Sequence, residues 1–283
     1  MESIEQPFPV IGDRVQLAPT PNNPPWNTPV AIALWFASVI LILVLPNLLL
    51  LPYLVSQNAP FGNSQQLLEF ILSDRTAILI NVLSIFPAHA ITIVLAWLVV
   101  TRFRRFEFKR TLGWAAGGVK WWHYLAILVG FFVVGSIVSS YLPEKENDLT
   151  RILKSSRTAV YLVALMATFT APIVEEVIYR GALYSAFQRT FNAPVAVLVV
   201  TFLFAVVHVP QYYPSYGTIL LLTLLSLVLT LVRAFSGNLL PCIVLHFLFN
   251  GFQSILLIIE PWLPQTQAPT SPDPAGIIML LLK

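Results

Sequence analysis

Seven long apolar runs constrain this chain more than any other feature. They lie at roughly 30–52, 77–100, 121–142, 158–174, 193–210, 217–235 and 239–259. Each approaches the ~20 residues a helix needs to cross a hydrocarbon core. In lipid every backbone N–H and C=O must be satisfied inside the segment, so the runs are expected to be helices. Composition agrees: 57% of residues are hydrophobic and 10% charged, against ~25% charged in a soluble domain. The expected fold is all-α, a polytopic transmembrane helical bundle of seven or eight spans. The eighth would have to come from the final "AGIIMLLL", which is too short to cross alone.

The domain reading follows. Residues 1–28 ("PTPNNPPWNTP" near their end) form a Pro-rich flexible arm, 29–260 the membrane domain, and 261–283 a Pro-rich linker with a short apolar tail. The arm holds one basic residue, Arg14, and no apolar core, so it does not read as a cleavable leader. A single cysteine, Cys242, excludes an internal disulfide and is expected to pack. The net charge of +3 is no sign of nucleic-acid binding, because the basic residues sit in loops between apolar runs. They report orientation instead. The loop "TRFRRFEFKRTLGWAAGGVK" (101–120) holds six of them and is expected on the cytoplasmic side. Strict alternation then puts the N-terminus and the turns near 191 and 237 on that side. Ten basic residues fall there against five on the other.

The fourth apolar run ends in charge: "TAPIVEEVIYRGALY", residues 170–184. No strong breaker follows before Asn192 except Gly181, so the helix is expected to continue from about 158 to 190. Glu175 precedes the turn at 191–192 by about 16 residues and His208 follows it by about 16. At 1.5 Å per residue both lie roughly 25 Å from the turn, so an antiparallel hairpin sets them at one depth. His246 and Asn250, i and i+4 after the turn at 236–238, share a helical face. A hairpin protruding further at 191 would bring all four into one layer.

Ionisable groups inside a bilayer cost about 2.5–3.5 kcal/mol each on insertion scales and face a cavity or a partner. A Glu beside a His can take a proton from water, and a second His with Asn can hydrogen-bond a developing oxyanion. Glu175, His208 and His246 are alternatively a zinc ligand set with an open position for water. Glu176 and Arg180, at i and i+4, read as an ion pair. Glu175 is turned about 100° from Glu176 and is freer to face a cavity. His89 reads as a core histidine, His123 as interfacial, and Asn81 and Gln253 as packing hydrogen-bonders. From these residues alone a hydrolase and an ion-coupled transporter are equally supported, although no inverted repeat of broken helices favours transport.

Three motifs then occur in order on apolar runs: "EEVIYR" (175–180), "FAVVH" (204–208) and "HFLFN" (246–250). Together they resemble the Glu-Glu-x-x-x-Arg, Phe-x-x-x-His and His-x-x-x-Asn motifs of the CPBP intramembrane proteases. That family includes the CAAX prenyl endopeptidases and Abi-type bacteriocin-processing or immunity proteins. The resemblance covers about 158–259. It implies a helical core of about eight spans and peptide-bond hydrolysis in a membrane-embedded cavity. Glu175 would be the base, working on water with His208; His246 and Asn250 would stabilise the oxyanion; Glu176 and Arg180 would support the site. It implies either no required metal or zinc on Glu175, His208 and His246, and the HExxH spacing of familiar zinc proteases is missing. The implied partners are a peptide or protein substrate, membrane-anchored or free, and the lipid bilayer. The expected location is a multi-pass membrane protein with its site reached from the cytoplasmic side. The alternative is a non-enzymatic scaffold or immunity-type protein of the same fold.

Overall fold

The computed structural model describes residues 18–262. In chain order the helices are α1 (Thr28–Ser56), α2 (Ser64–Ser73), α3 (Arg75–Thr101), α4 (Phe108–Leu112), α5 (Trp121–Tyr141), α6 (Asp148–Ser155), α7 (Arg157–Leu165), α8 (Ala171–Glu176), α9 (Tyr184–Thr190), α10 (Ala193–Tyr212), α11 (Tyr216–Ser236) and α12 (Leu240–Ile259). Two π-helical stretches, Met166–Thr170 and Val177–Leu183, join α7, α8 and α9 into one continuous span, Arg157–Thr190. Among the described residues seven helices are long and apolar enough to cross a membrane. They coincide with the seven runs read from sequence, and the described residues contain no β-strand. The tail that would supply an eighth span lies outside the described residues.

Most spans keep their hydrophobic surface outward. Leu43, Val133, Leu198 and Phe202 are each more than half exposed, as lipid-facing side chains should be where no water is present to drive them inside. The core is instead built where small and medium residues let helices approach. Ala31, Ala96, Ala182, Ala186, Ala196 and Val200 are fully buried in one cluster, the small-residue packing that membrane bundles favour.

Two ends of the bundle can be told apart. At the first, which carries the basic loop, residues 18–27 pack against the helices instead of leaving them. Trp26 is 5% exposed, and its Nε1–H donates to Ala182 O at 3.0 Å. Arg189 donates to the carbonyls of Pro24 and Trp26. Arg233, fully buried in α11, donates to Pro21 O at 2.7 Å and Asn22 Oδ1 at 3.0 Å. A Pro-rich segment has free carbonyls that no local N–H can reach. Guanidinium groups with five donors each satisfy them. The segment read as a flexible arm is therefore held down at residues 21–26, while 1–17 lie outside the described residues.

The basic loop closes the same end. Gly113 O accepts from the N–H groups of Leu239 (2.9 Å) and Leu240 (3.2 Å), the first donors of α12. Gly113 has φ +80°, and a Cβ there would come within 2.7 Å of Pro21 Cγ and 2.9 Å of Asn238 Oδ1. Gly113→Ala is expected to destabilise the protein by about 1–3 kcal/mol, since a left-handed backbone and a clash act together. Thermal unfolding in detergent measures it.

At the far end the contacts join α2, the 142–157 region and the α10–α11 turn. Arg151 pairs with Glu69 at 2.6 Å, Lys145 N donates to Ser215 Oγ at 3.3 Å, and Thr218 Oγ1 donates to Glu144 Oε2 at 2.9 Å.

Candidate active site

The long span owes its shape to Pro172. A proline has no N–H to return to the carbonyl behind it. In the π-helical stretch Met166–Thr170 the helix closes from Ala171 N back to Met166 O, so the next bond, from residue 172 to Ala167 O, has no donor. Asn250 supplies one: its Nδ2–H donates to Ala167 O at 2.8 Å. π-Helical turns are rare and concentrate at functional sites. Here the two stretches bracket Ala171–Glu176 and with it both glutamates.

The groups named from sequence do converge. Glu175 Oε1 lies 4.0 Å from His208 Nε2, and its Oε2 lies 3.8 Å from His246 Nε2. Glu176 is fully buried, and its Oε1 accepts from Arg180 Nη1 and His246 Nδ1, both at 2.8 Å. Arg180 is fully buried too. It donates to Thr230 Oγ1 (3.2 Å), Ser226 Oγ (2.8 Å) and Ser226 O (3.0 Å) on α11. Its guanidinium carbon sits 4.8 Å from the centre of the Phe204 ring. His208 stacks on the same Phe204 ring, at 4.6 Å and 30°. The Glu176–Arg180 pair expected from i, i+4 spacing is therefore present.

The hydrogen bonds assign the imidazole protons. His208 Nδ1 lies 2.7 Å from Phe204 O, a carbonyl that only accepts, so Nδ1 carries a proton. His246 Nδ1–H is likewise held by the Glu176 carboxylate. In the neutral rings both Nε2 lone pairs then face Glu175. A carboxylate and two lone pairs around one space need a proton donor between them, and a water supplies two. Gaps of 3.8–4.0 Å exceed direct hydrogen bonds but let a water lie about 2.8 Å from both partners.

The same groups open on a cavity of about 330 Å³. Glu175, Phe204, His208, His246 and Asn250 line it, with Phe131, Phe132, Leu221 and Leu225 forming apolar walls. Glu176 and Arg180 stand behind it.

Sequence reading missed three supports. Ser226 and Thr230 hold Arg180; their i, i+4 spacing on an apolar span was the available signal. Ala167 O holds Asn250, signalled only by Pro172 five residues later. His89, read as a core histidine, is buried and has its Nδ1 2.9 Å from Thr170 Oγ1. Gln253 lines the cavity where packing was expected. His123 accepts from Lys120 N at the start of α5. Cys242 is buried, with its thiol against Leu229 O at 3.4 Å.

Among the described residues no three His, Cys, Asp or Glu side chains are gathered as a metal site requires. The chemistry of Glu175, His208 and His246 would suit a zinc ion, with Phe204 O and Glu176 anchoring the outer ring nitrogens. Glu175 stands 3.8–4.0 Å from each Nε2, somewhat wider than the ~3.4 Å that ~2.1 Å bonds at a tetrahedral angle would set.

Comparison with known proteins agrees with the motifs. Residues 157–252, about a third of the chain, match the family model described as type II CAAX prenyl endopeptidase Rce1-like. The matched segment begins at α7 and ends two residues after Asn250, so it encloses the whole cluster. No curated protein and no solved structure matches the chain.

Proposed function

We propose that this protein is an intramembrane endopeptidase in which Glu175 activates water. The observation that carries the reading is the approach of both Nε2 atoms to the two oxygens of a half-buried carboxylate, inside a cavity, on a segment matching a protease family. Glu175 takes a proton from the water as its oxygen attacks the scissile carbonyl carbon, then gives that proton to the departing amide nitrogen. His208 holds the water's orientation. His246, backed by Glu176 as the carboxylate backs the imidazole of a hydrolytic triad, donates from Nε2 to the oxyanion when doubly protonated. Asn250 keeps one N–H beyond the bond to Ala167 O and is the second oxyanion donor. Apolar walls exclude competing water and strengthen each of these interactions. A zinc ion held by Glu175, His208 and His246 would supply an acidified water; the steps above need none. The substrate is a peptide or membrane-anchored protein segment.

The test is cleavage of a quenched fluorescent peptide library by the purified protein, with and without a strong chelator. Cleavage indifferent to chelator and absent from Glu175→Ala is expected. Loss with chelator would move the chemistry to a metal. Cleavage retained by Glu175→Ala overturns the assignment. A protein that binds library peptides without cutting them would be a scaffold of the same fold.

A further inference from the structure

We propose that Gln211, Tyr212 and Gln253 bind the main chain of an extended peptide segment beside the reactive groups. The binding is read from the cavity; the placing of the scissile bond against it rests on the hydrolytic reading.

Several polar side chains that line the cavity are committed within the protein. Asn250 donates to Ala167 O, Ser254 Oγ to Ala164 O and Ser139 Oγ to Gly135 O. Gln211, Tyr212 and Gln253 line it too, and among the described residues their side chains make no hydrogen bond. A carboxamide offers two N–H donors and an acceptor oxygen, and a phenol offers one donor and an acceptor. Such groups lose free energy between apolar walls unless a partner meets them. Three of them in one cavity mark where a ligand supplies that partner.

Their placement is regular. α10 and α12 are each joined to α11 by a three-residue turn, 213–215 and 237–239, so they run the same way through the bundle. Gln211 and Tyr212 follow His208 by three and four residues on α10, and Gln253 follows Asn250 by three on α12. At 1.5 Å per residue all three stand about 4.5–6 Å beyond the reactive groups of their own helices. The i, i+3 and i, i+4 spacing keeps them on the face that carries those groups. A second polar layer therefore adjoins the first, between the apolar side chains of Phe131, Phe132, Leu221 and Leu225.

That layer has the chemistry of main-chain recognition. A helical segment bonds its own carbonyls and sheathes them in side chains, so a peptide bond presented to the Glu175 water must be locally extended. Its neighbouring N–H and C=O groups then lack internal partners, and between apolar walls the protein must provide them. Along an extended chain, groups facing one way recur every ~6.6–6.8 Å. With the scissile carbonyl at His246 and Asn250, the next group on the same side falls near the second layer. Two carboxamides and a phenol pair with N–H and C=O alike and carry no charge to select a side chain. The substrate class is an extended segment with apolar side chains, held by its backbone.

The test measures binding and not turnover. Fluorescent, unquenched members of the peptide library are titrated with the purified Glu175→Gln protein in detergent, and Kd is read by anisotropy. In that background Gln211→Leu, Tyr212→Phe and Gln253→Leu are each expected to weaken binding about 3–10-fold, the worth of one neutral hydrogen bond. Unchanged unfolding temperatures separate a lost contact from a lost fold. The tightest peptide is then made with its amides replaced one at a time by esters, which removes an N–H and weakens a carbonyl acceptor. At the contacted position the ester should bind the Glu175→Gln protein more weakly than the amide does, and the two should bind alike once the side chain that meets them is replaced. Variants that all keep the starting Kd, ester losses that no variant abolishes, or a library from which no peptide binds would each overturn the proposal. Peptides bound as expected by a protein whose parent cuts none of them would sink the hydrolytic reading and leave the binding layer; cleavage with a Kd indifferent to all three variants would do the reverse.

Discussion

Glu175→Gln is expected to lower kcat/KM by about 10²–10⁴, the range a positioned general base contributes, with KM little changed. Glutamine keeps the size and one acceptor of the side chain but cannot take a proton. The loss should therefore fall on kcat, because the carboxylate is used as charge and proton move and not to hold the peptide. Glu175 lines the cavity, and the buried ion pair to Arg180 is made by Glu176 instead. Expression level, membrane insertion and unfolding temperature should match the parent. Steady-state kinetics on one cleaved library peptide, with thermal unfolding in the same detergent, separates the outcomes. Parent-like kcat would remove Glu175 from the chemistry.

Arg180→Leu is expected to destabilise the fold by about 3–5 kcal/mol, the cost of leaving one partner of a buried ion pair uncompensated. The variant strands the Glu176 carboxylate, fully buried, with His246 as its single remaining donor among the described residues. It also strips Thr230 and Ser226 of their cation. The double variant Glu176→Leu with Arg180→Leu removes both charges together. It should regain much of the lost stability, since apolar replacement of a buried pair is often neutral or better. Activity should not return with it, because His246 Nδ1 has lost the carboxylate that fixes its tautomer. Thermal unfolding and cleavage, measured on the single and double variants, check this. A double variant that is stable and fully active would confine Glu176 and Arg180 to a structural role.

The segments that cross the membrane were legible because the solvent leaves one solution. A run of about twenty apolar residues must satisfy its own backbone, and the helix does so locally. The continuation of the fourth span to Thr190 was legible for the same reason: nothing in "EEVIYRGALYSAFQRT" breaks a helix except one glycine. The site was legible in part. Equal counts of residues to a shared turn fix equal depth, so Glu175 and His208 could be matched from sequence, and i, i+4 spacing matched Glu176 to Arg180 and His246 to Asn250.

Other features had no local signature. The π-helical stretches change which carbonyls are free, and the consequence of Pro172 is visible only where Asn250 arrives from another span. The Pro-rich segment 18–27 has the composition of a flexible arm. It is held because Arg189 and Arg233, more than 160 residues later, meet its carbonyls. Hydrophobic periodicity and spacing act over one or two turns, and they decided the spans, their order and the depth of the reactive groups. Which helix ends are sealed is decided by contacts between segments far apart in the chain, and only the folded bundle contains them.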